Sequence, residues 1–498
     1  MNIKELLVKQ AENYPKKSAI LFEDRTITYL QLKEASFRVA NHLSVSVGEK
    51  IAVYLPNIPE AVFSLLGVFS KGACAVPVDF MLTESEMIHI INHSEAKILI
   101  VFPKKGIDLN SIKQKCPNLK EIVVCGQPDQ ELAEFTSWQQ VCQASSDAPD
   151  VDIKEDSLSS IFYTSGSTGQ PKGVMLNYSH LDNPVKNVNH FLEVTDQDVF
   201  MCAGVPFSHL GGLDYILFML NFATTLVLTT RFNPFEFIKN IEKHKVSIFC
   251  IVPAMFIAIL SLKDAARFNF SSLRYAVVFG APSSPVLLKK FQELSPEAKL
   301  LNGWGMTETA APNAFSPQDI SKINSIGKFD FNTEAKLIDD EGNLVDQGEL
   351  LIKGEGVMVG YYKNSVLTKE TLTEDGWLKT GDIARRDQDG LYYIIGRIKE
   401  MIKVAGEIVF SFEVEEKIQR HTKVEETAVI GVFDKLRGEV PKAFIVIKKG
   451  ESLEEVELKE FLKQHLAHFK IPHYFEFVSQ LPKNRVGKID KSELDHRP

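Results

Sequence analysis

The chain has 498 residues, 44% of them hydrophobic, which is enough core-forming material for about two to four domains. Its 56 basic and 65 acidic side chains leave a net charge of −9, so it lacks the basic excess that draws proteins to a nucleic-acid duplex or an anionic bilayer. The six cysteines form no C-x-x-C pair and none lies beyond Cys250, which argues against a disulfide framework or a zinc site and fits a reducing cytoplasm.

The opening "MNIKELLVKQAENYP" spaces its apolar residues like a short amphipathic helix and has no apolar signal-peptide core. Strand-like runs "KIAVYLP", "AKILIVF" and "EIVVCG" come next, alternating with helical text such as "PEAVFSLLGVFSKG". A buried strand, "LSSIFYTSG", leads into the Gly- and Ser-rich "YTSGSTGQPKGV". The most apolar window, "YILFMLNFATTLVL", runs 14 residues from Tyr215 to Leu228. That is short of the roughly 20 needed to span a bilayer, so it reads as a buried helix and strand.

Further strands "TTLVLTT", "VSIFCIVP" and "RYAVVFG" alternate with helices such as "PFEFIKNIEKHK". This alternation predicts mostly parallel sheets covered on both faces. From about Ile326 the text changes to short strands with Asp-Gly and Glu-Gly turns, "AKLIDDEGNLVDQGELLIKG" and "DQDGLYYIIGR", which predict a smaller β-rich lobe built of hairpins. From Lys399 onward a compact α+β segment is predicted, giving expected domains of 1–398 and 399–498. Residues 399–498 carry 18 basic and 18 acidic side chains, so the acidity lies in the larger part, while Lys483, Arg485, Lys488 and Lys491 cluster near the end.

The stretch from Thr164 to Lys172 offers a phosphate three kinds of ligand. These are backbone N–H groups of small residues, the hydroxyls of Thr164, Ser165 and Thr168, and one ammonium. It is not the nucleotide loop G-x-x-x-x-G-K-[ST], because Lys172 is flanked by Pro171 and Gly173. By itself such a stretch is more often a turn, and its meaning depends on the motifs further along the chain.

The motifs "YTSGSTGQPKGVML", "NGWGMTE", "GELLIKG", "WLKTGD", "GRIKEMIKVAGE" and "LPKNRVGKI" resemble, in order and spacing, the acyl-adenylate-forming superfamily over essentially the whole chain. The resemblance implies an α/β fold, with a large N-terminal region of two α/β subdomains plus a β-barrel-like lobe, and a small mobile α+β C-terminal domain. It implies an acyl-CoA synthetase that uses ATP, Mg²⁺ and coenzyme A. A carboxylate has no good leaving group, so it is first capped as acyl-AMP with loss of pyrophosphate and then passed to a thiol.

In residue terms the resemblance assigns the β- and γ-phosphates to Thr164, Ser165, Gly166, Ser167, Thr168, Gly169 and Lys172. It assigns the adenine and α-phosphate region to Gly280, Ala281, Pro282, Trp304, Gly305, Met306 and Thr307, with Glu308 on Mg²⁺. Asp382 is expected to accept the ribose hydroxyls and Arg397 to reach the same sugar. Lys488 is expected to bridge the substrate carboxylate and the α-phosphate, and His209 to gate the acyl channel. Lys399 occupies the hinge position, with Lys403 and Gly406 on the loop expected to enter for the thiol step. Phe207 and Phe279 are expected to wall the acyl pocket, the latter at a position where glycine is common. Three more departures are Trp304 for a commoner Tyr, and Ser411 and Phe329 for usual prolines.

Where amino-acid-activating relatives carry a Phe-Asp pair, this chain has Phe207, Ser208 and His209. A cationic amino group at that point would be buried without a partner, so the expected substrate is a hydrophobic acid, foremost a fatty acid of limited length. Alternatives are an aryl-acid CoA ligase, a ligase that loads an acyl carrier protein, or a catalytically dead binding protein of the same fold. The expected location is the cytoplasm, with or without loose association with a membrane surface.

Overall fold

The protein is described by a computed structural model covering residues 1–126, 132–164, 171–280, 285–329, 331–483 and 488–497. Among these residues the strands form four sheets: two of eight strands, one of four and one of five. The alternating strand and helix text of the first three hundred residues becomes the two large sheets.

In one of them, Lys50–Tyr54, Cys74–Pro77, Ile98–Val101 and Glu121–Val124 run parallel. Leu158–Thr164 joins this sheet in parallel beside Cys74–Pro77 and turns back as the antiparallel Lys172–Asn177. In the other, Val199–Ala203, Thr225–Thr229, Ile248–Ile251, Tyr275–Val278 and Lys299–Trp304 run parallel. The Ser18–Phe22 and Arg25–Thr28 hairpin closes that sheet's edge.

Two helices that are buried nearly throughout, Pro59–Ser70 and Leu210–Phe222, belong to one continuous apolar core with strands of both sheets. Burial on every side explains why neither shows a polar stripe. Several helix starts are written locally: Pro59, Pro234 and Pro253 stand at first helical positions, where a missing N–H costs nothing. Thr28 with Gln31 and Thr83 with Glu86 form capping boxes. No helix among the described residues is long and apolar enough to cross a membrane.

The β-rich text folds as an antiparallel four-stranded sheet of Thr333–Ile338, Gln347–Gly354, Leu378–Arg386 and Tyr392–Arg397. After Arg397 one short 3-10 turn, Ile398–Glu400, leads to Met401–Val404, a strand of the five-stranded sheet. That last sheet and the helices Ser411–Gln419 and Glu455–Lys463 enclose a separate core built on Val409, Val414, Phe444 and Leu458. The chain is thus an α/β structure with large N-terminal sheets and a small C-terminal domain.

Candidate active site

The opposed pair Thr164 and Lys172 stands at the end of the antiparallel pairing of Leu158–Thr164 with Lys172–Asn177, which brings these two expected phosphate ligands side by side. The expectations on Ser165, Gly166, Ser167, Thr168 and Gly169, and on Ala281 and Pro282, fall outside the described residues. Lys172 Nζ lies 5.2 Å from the centre of the Tyr361 ring, within cation–π range. The Tyr361 hydroxyl donates to Glu308 Oε1 at 3.0 Å. Burial, then the Glu308 charge, raises the phenol's pKa and keeps it a donor. Tyr361 is brought here by its pairing with Val174, and the sequence reading missed it.

Trp304, Asp382 and Arg397 form a second group. Asp382 and Arg397 are opposite one another on adjacent strands, which is why 15 residues of sequence separate them and 2.8 Å separates Arg397 Nε from Asp382 Oδ1. Trp304 Nε1 donates to the other carboxylate oxygen at 3.0 Å, a bond that the hydroxyl of a Tyr would reach differently. Burial pushes the Asp382 carboxyl up, against the pull of Arg397 and the indole. Phe329, at the usual proline position, packs edge-on to Trp304 at 5.4 Å and to Tyr392 at 5.2 Å. It props the indole that tethers Asp382.

Lys488 enters the same space from the far end of the chain. A Cβ on Gly280 would stand 3.1 Å from Lys488 Cε and 3.4 Å from its Nζ, so the lysine's tip rests against this glycine, whose φ of +83° is one that glycine tolerates. Burial, and then the charge of Arg397, lowers the Lys488 pKa to about 8, with Asp382 acting the other way. His209 caps the Leu210–Phe222 helix, its Nδ1 accepting from the Gly211 N–H at 3.3 Å. Burial, and then the Lys488 charge, pushes its pKa down to about 4. The ring is therefore neutral at pH 7, with its proton on Nε2.

These groups line one cleft of about 3430 Å³ between the large N-terminal region and the C-terminal domain. Thr307 and Glu308, in the 3-10 turn after Trp304, stand on its wall with Gly305 and Met306. Its apolar wall is built from Leu210, Ala254, Ile257, Leu260, Phe279 and Met306. Phe279 leans on the next strand, its Cδ2 2.6 Å from where a Gly303 Cβ would be, and remains a wall residue. Phe207 is buried in the core, and Ser208 and His209 stand on the cleft wall at this point.

One carboxyl on the wall was not anticipated. Asp214, in the second turn of the Leu210–Phe222 helix, is only 4% exposed, and its Oδ1 has no hydrogen-bond partner. Burial raises its pKa well above the ordinary carboxylate value. An unsatisfied buried acceptor of this kind costs on the order of 1–3 kcal/mol.

At the junction, Lys399 is exposed on the 3-10 turn and Lys403 is exposed on the following strand. Gly406, φ +93°, follows Ala405, φ +51°, in a two-residue turn between Val404 and Glu407, the twist-matched geometry of tight hairpins. Ser411, standing for proline, begins the Ser411–Gln419 helix, and its Oγ accepts from Lys491 Nζ at 3.0 Å. Lys491 also pairs with Glu400 at 3.0 Å and Glu415 at 2.8 Å. Burial works against its charge, but the two carboxylates more than offset it and leave its pKa raised.

Residues 7–362 match the family described as "AMP-binding enzyme", and residues 413–488 match "AMP-binding enzyme C-terminal domain". The chain belongs to the AMP-binding enzyme family. As a member it is an AMP-forming acid–thiol ligase that uses ATP and coenzyme A. It is 30% identical over 527 residues to the long-chain-fatty-acid–CoA ligase of Bacillus subtilis (strain 168), covering 99% of this chain and 94% of that protein. It is 31% identical over 491 residues to 4-coumarate–CoA ligase 1 of Petroselinum crispum, covering 95% and 89%. Among solved structures of the family, the anthranilate CoA ligase AuaEII in complex with anthranoyl-AMP superposes with a TM-score of 0.90 at 28% identity, covering 98% and 95%. ATP-bound MatB from Rhodopseudomonas palustris superposes with a TM-score of 0.88 at 26% identity, covering 99% and 98%.

Proposed function

We propose that the protein activates a carboxylic acid with a largely apolar body, a fatty acid of limited length or an aryl acid, to acyl-AMP and then transfers the acyl group to the thiol of coenzyme A. The carrying observation is Lys488, brought from the end of the chain to within reach of Gly280, Asp382, Arg397 and His209. A carboxylate oxygen of the acid attacks the α-phosphorus of ATP, and the bond to the pyrophosphate oxygen breaks with its electron pair leaving on pyrophosphate. Catalysis of such a step is positioning and charge neutralisation. Lys488 supplies the ammonium between carboxylate and α-phosphate, Lys172 meets the leaving group, and Asp382, tethered by Trp304 and Arg397, takes the ribose.

Glu308 would hold Mg²⁺. Among the described residues no three His, Cys, Asp or Glu side chains gather into a cage. A single hard carboxylate beside a phosphate site fits an ion carried mainly by the nucleotide, and when bound it neutralises phosphate charge. Thr307 is assigned to the α-phosphate, and neutral His209 offers an Nε2–H donor at the acid's entry.

For the second step the thiol gives up its proton to solvent as its sulfur bonds to the acyl carbon, and the carbon–oxygen bond to AMP breaks with its electron pair leaving on AMP. Lys488 then stands where the thiol must approach, so residues 399–498 rotate as a unit about Lys399 and bring the Lys403–Gly406 hairpin inward. The change of sheet between Arg397 and Met401 supports that division. ATP–pyrophosphate exchange with a panel of carboxylic acids tests the reading. Acid-dependent exchange, with thioester formation once coenzyme A is added, is expected, and exchange independent of any acid refutes it.

A further inference from the structure

Adenylation as described employs Lys488, His209, Asp382 and Arg397 and leaves Asp214 without a task. The helix that carries it is apolar nearly all round, and its other polar side chains are satisfied. Asn221 donates to the Leu217 carbonyl, and the Tyr215 hydroxyl exchanges hydrogen bonds with the backbone of Cys250. Asp214 alone in that helix carries a buried side-chain oxygen without a partner, and it does so among the residues of the cleft wall, to which Leu210, Ala254 and Ile257 also belong. Buried carboxyl groups are almost always paired. A cavity meant only for hydrocarbon would be served better by leucine at this position.

We propose that Asp214 receives a hydrogen-bond donor, a hydroxyl or an amino group, carried at the far end of the acid. The inference rests on the reading of this wall as the acid's binding surface. Asp214 follows the helix cap His209 by five residues, about 7–8 Å along the helix axis. With the acid's carboxylate end beside His209, a donor roughly six bonds along the acid reaches that depth, as in an ω-substituted hexanoate or a para-substituted phenylpropanoate. A plain chain of that length would cover the carboxyl and leave it unpaired, and a site built around a polar group discriminates strongly against the analogue that lacks its partner.

The test compares matched acids in pyrophosphate release: hexanoate, 6-hydroxyhexanoate and 6-aminohexanoate, and 3-phenylpropanoate with its 4-hydroxy and 4-amino forms. In the wild type at least one donor-bearing acid should exceed its plain partner about tenfold or more in kcat/KM. In Asp214→Leu that ratio should fall to one or below, with Asp214→Asn, which keeps an acceptor, between the two. A wild-type ratio near one, or a ratio that survives in Asp214→Leu, overturns the inference while leaving adenylation standing. If none of these acids is turned over, thermal shifts of the wild type with the same pairs read the site directly. Equal shifts within each pair overturn it, and a larger shift for the donor-bearing acid that Asp214→Leu abolishes supports it.

Discussion

Lys488→Met removes the ammonium and keeps most of the stem. With the lysine in the cleft its pKa is about 8 against an ordinary 10.5, a difference of 2.5 units or about 3 kcal/mol at 1.36 kcal/mol per unit. That is the cost of holding the charge in the cleft without nucleotide. The sign is set by linkage: the depressed pKa means that the cost is fully present below pH 8, fades between about pH 8 and 10.5, and is gone above. ATP phosphates and the substrate carboxylate repay it, so the lysine favours the closed arrangement only when the reactants are present. Without ATP at pH 7, Lys488→Met should shift the balance of closed over open domains toward closed by about a hundredfold. Raising the pH of the wild type past 8 should move it the same way. Fluorescence energy transfer between dyes on the N-terminal region and the C-terminal domain reads this balance. The variant should also lose about 10²- to 10³-fold in adenylation, as expected when a donor to developing charge is removed, yet form thioester from supplied acyl-AMP. Equal closed fractions in variant and wild type at pH 7, or equal loss in both half-reactions, would refute the reasoning.

Lys399→Pro fixes φ and removes a backbone N–H at the junction; it should spare adenylation and slow single-turnover thioester formation from isolated acyl-AMP, and an undiminished rate places the hinge elsewhere. Trp304→Phe deletes the 3.0 Å donor to Asp382, a bond to a charged acceptor worth about 1.5–3 kcal/mol. The KM for ATP should rise by about tenfold or more, whereas an unchanged KM means that Asp382 needs no tether. Phe279→Gly should lengthen the preferred acid, each added buried methylene contributing about 0.8 kcal/mol, near fourfold in affinity; a chain-length profile of kcat/KM that stays put assigns the ring to the sheet alone.

Much of the architecture was legible because its signals are local. Short β-branched runs between helical patterns announced the parallel sheets. Asp-Gly turns announced the hairpins, and the hairpin between Asp382 and Arg397 converts their sequence separation into a direct contact. The order of the motifs carried the family and the type of reaction, since each residue type is demanded by phosphate, ribose or carboxylate chemistry wherever the fold places it.

Other features depend on which way a side chain faces or what meets it from a distant segment, and local pattern does not encode either. Tyr361 is one of two adjacent tyrosines in the sequence until its pairing with Val174 sets it between Lys172 and Glu308. Phe207 and Ser208 differ by one residue in sequence, but the entry to a helix sends one into the core and leaves the other on the cleft wall. Ser411 gains its meaning from Glu400 and from Lys491, the latter 80 residues away. Asp214 shows the same limit most plainly. In a helix apolar on every side no stripe marks the face that meets a cavity, and only the packing of the Leu210–Phe222 helix against its neighbours decided that this carboxyl, and not a leucine beside it, stands on the wall.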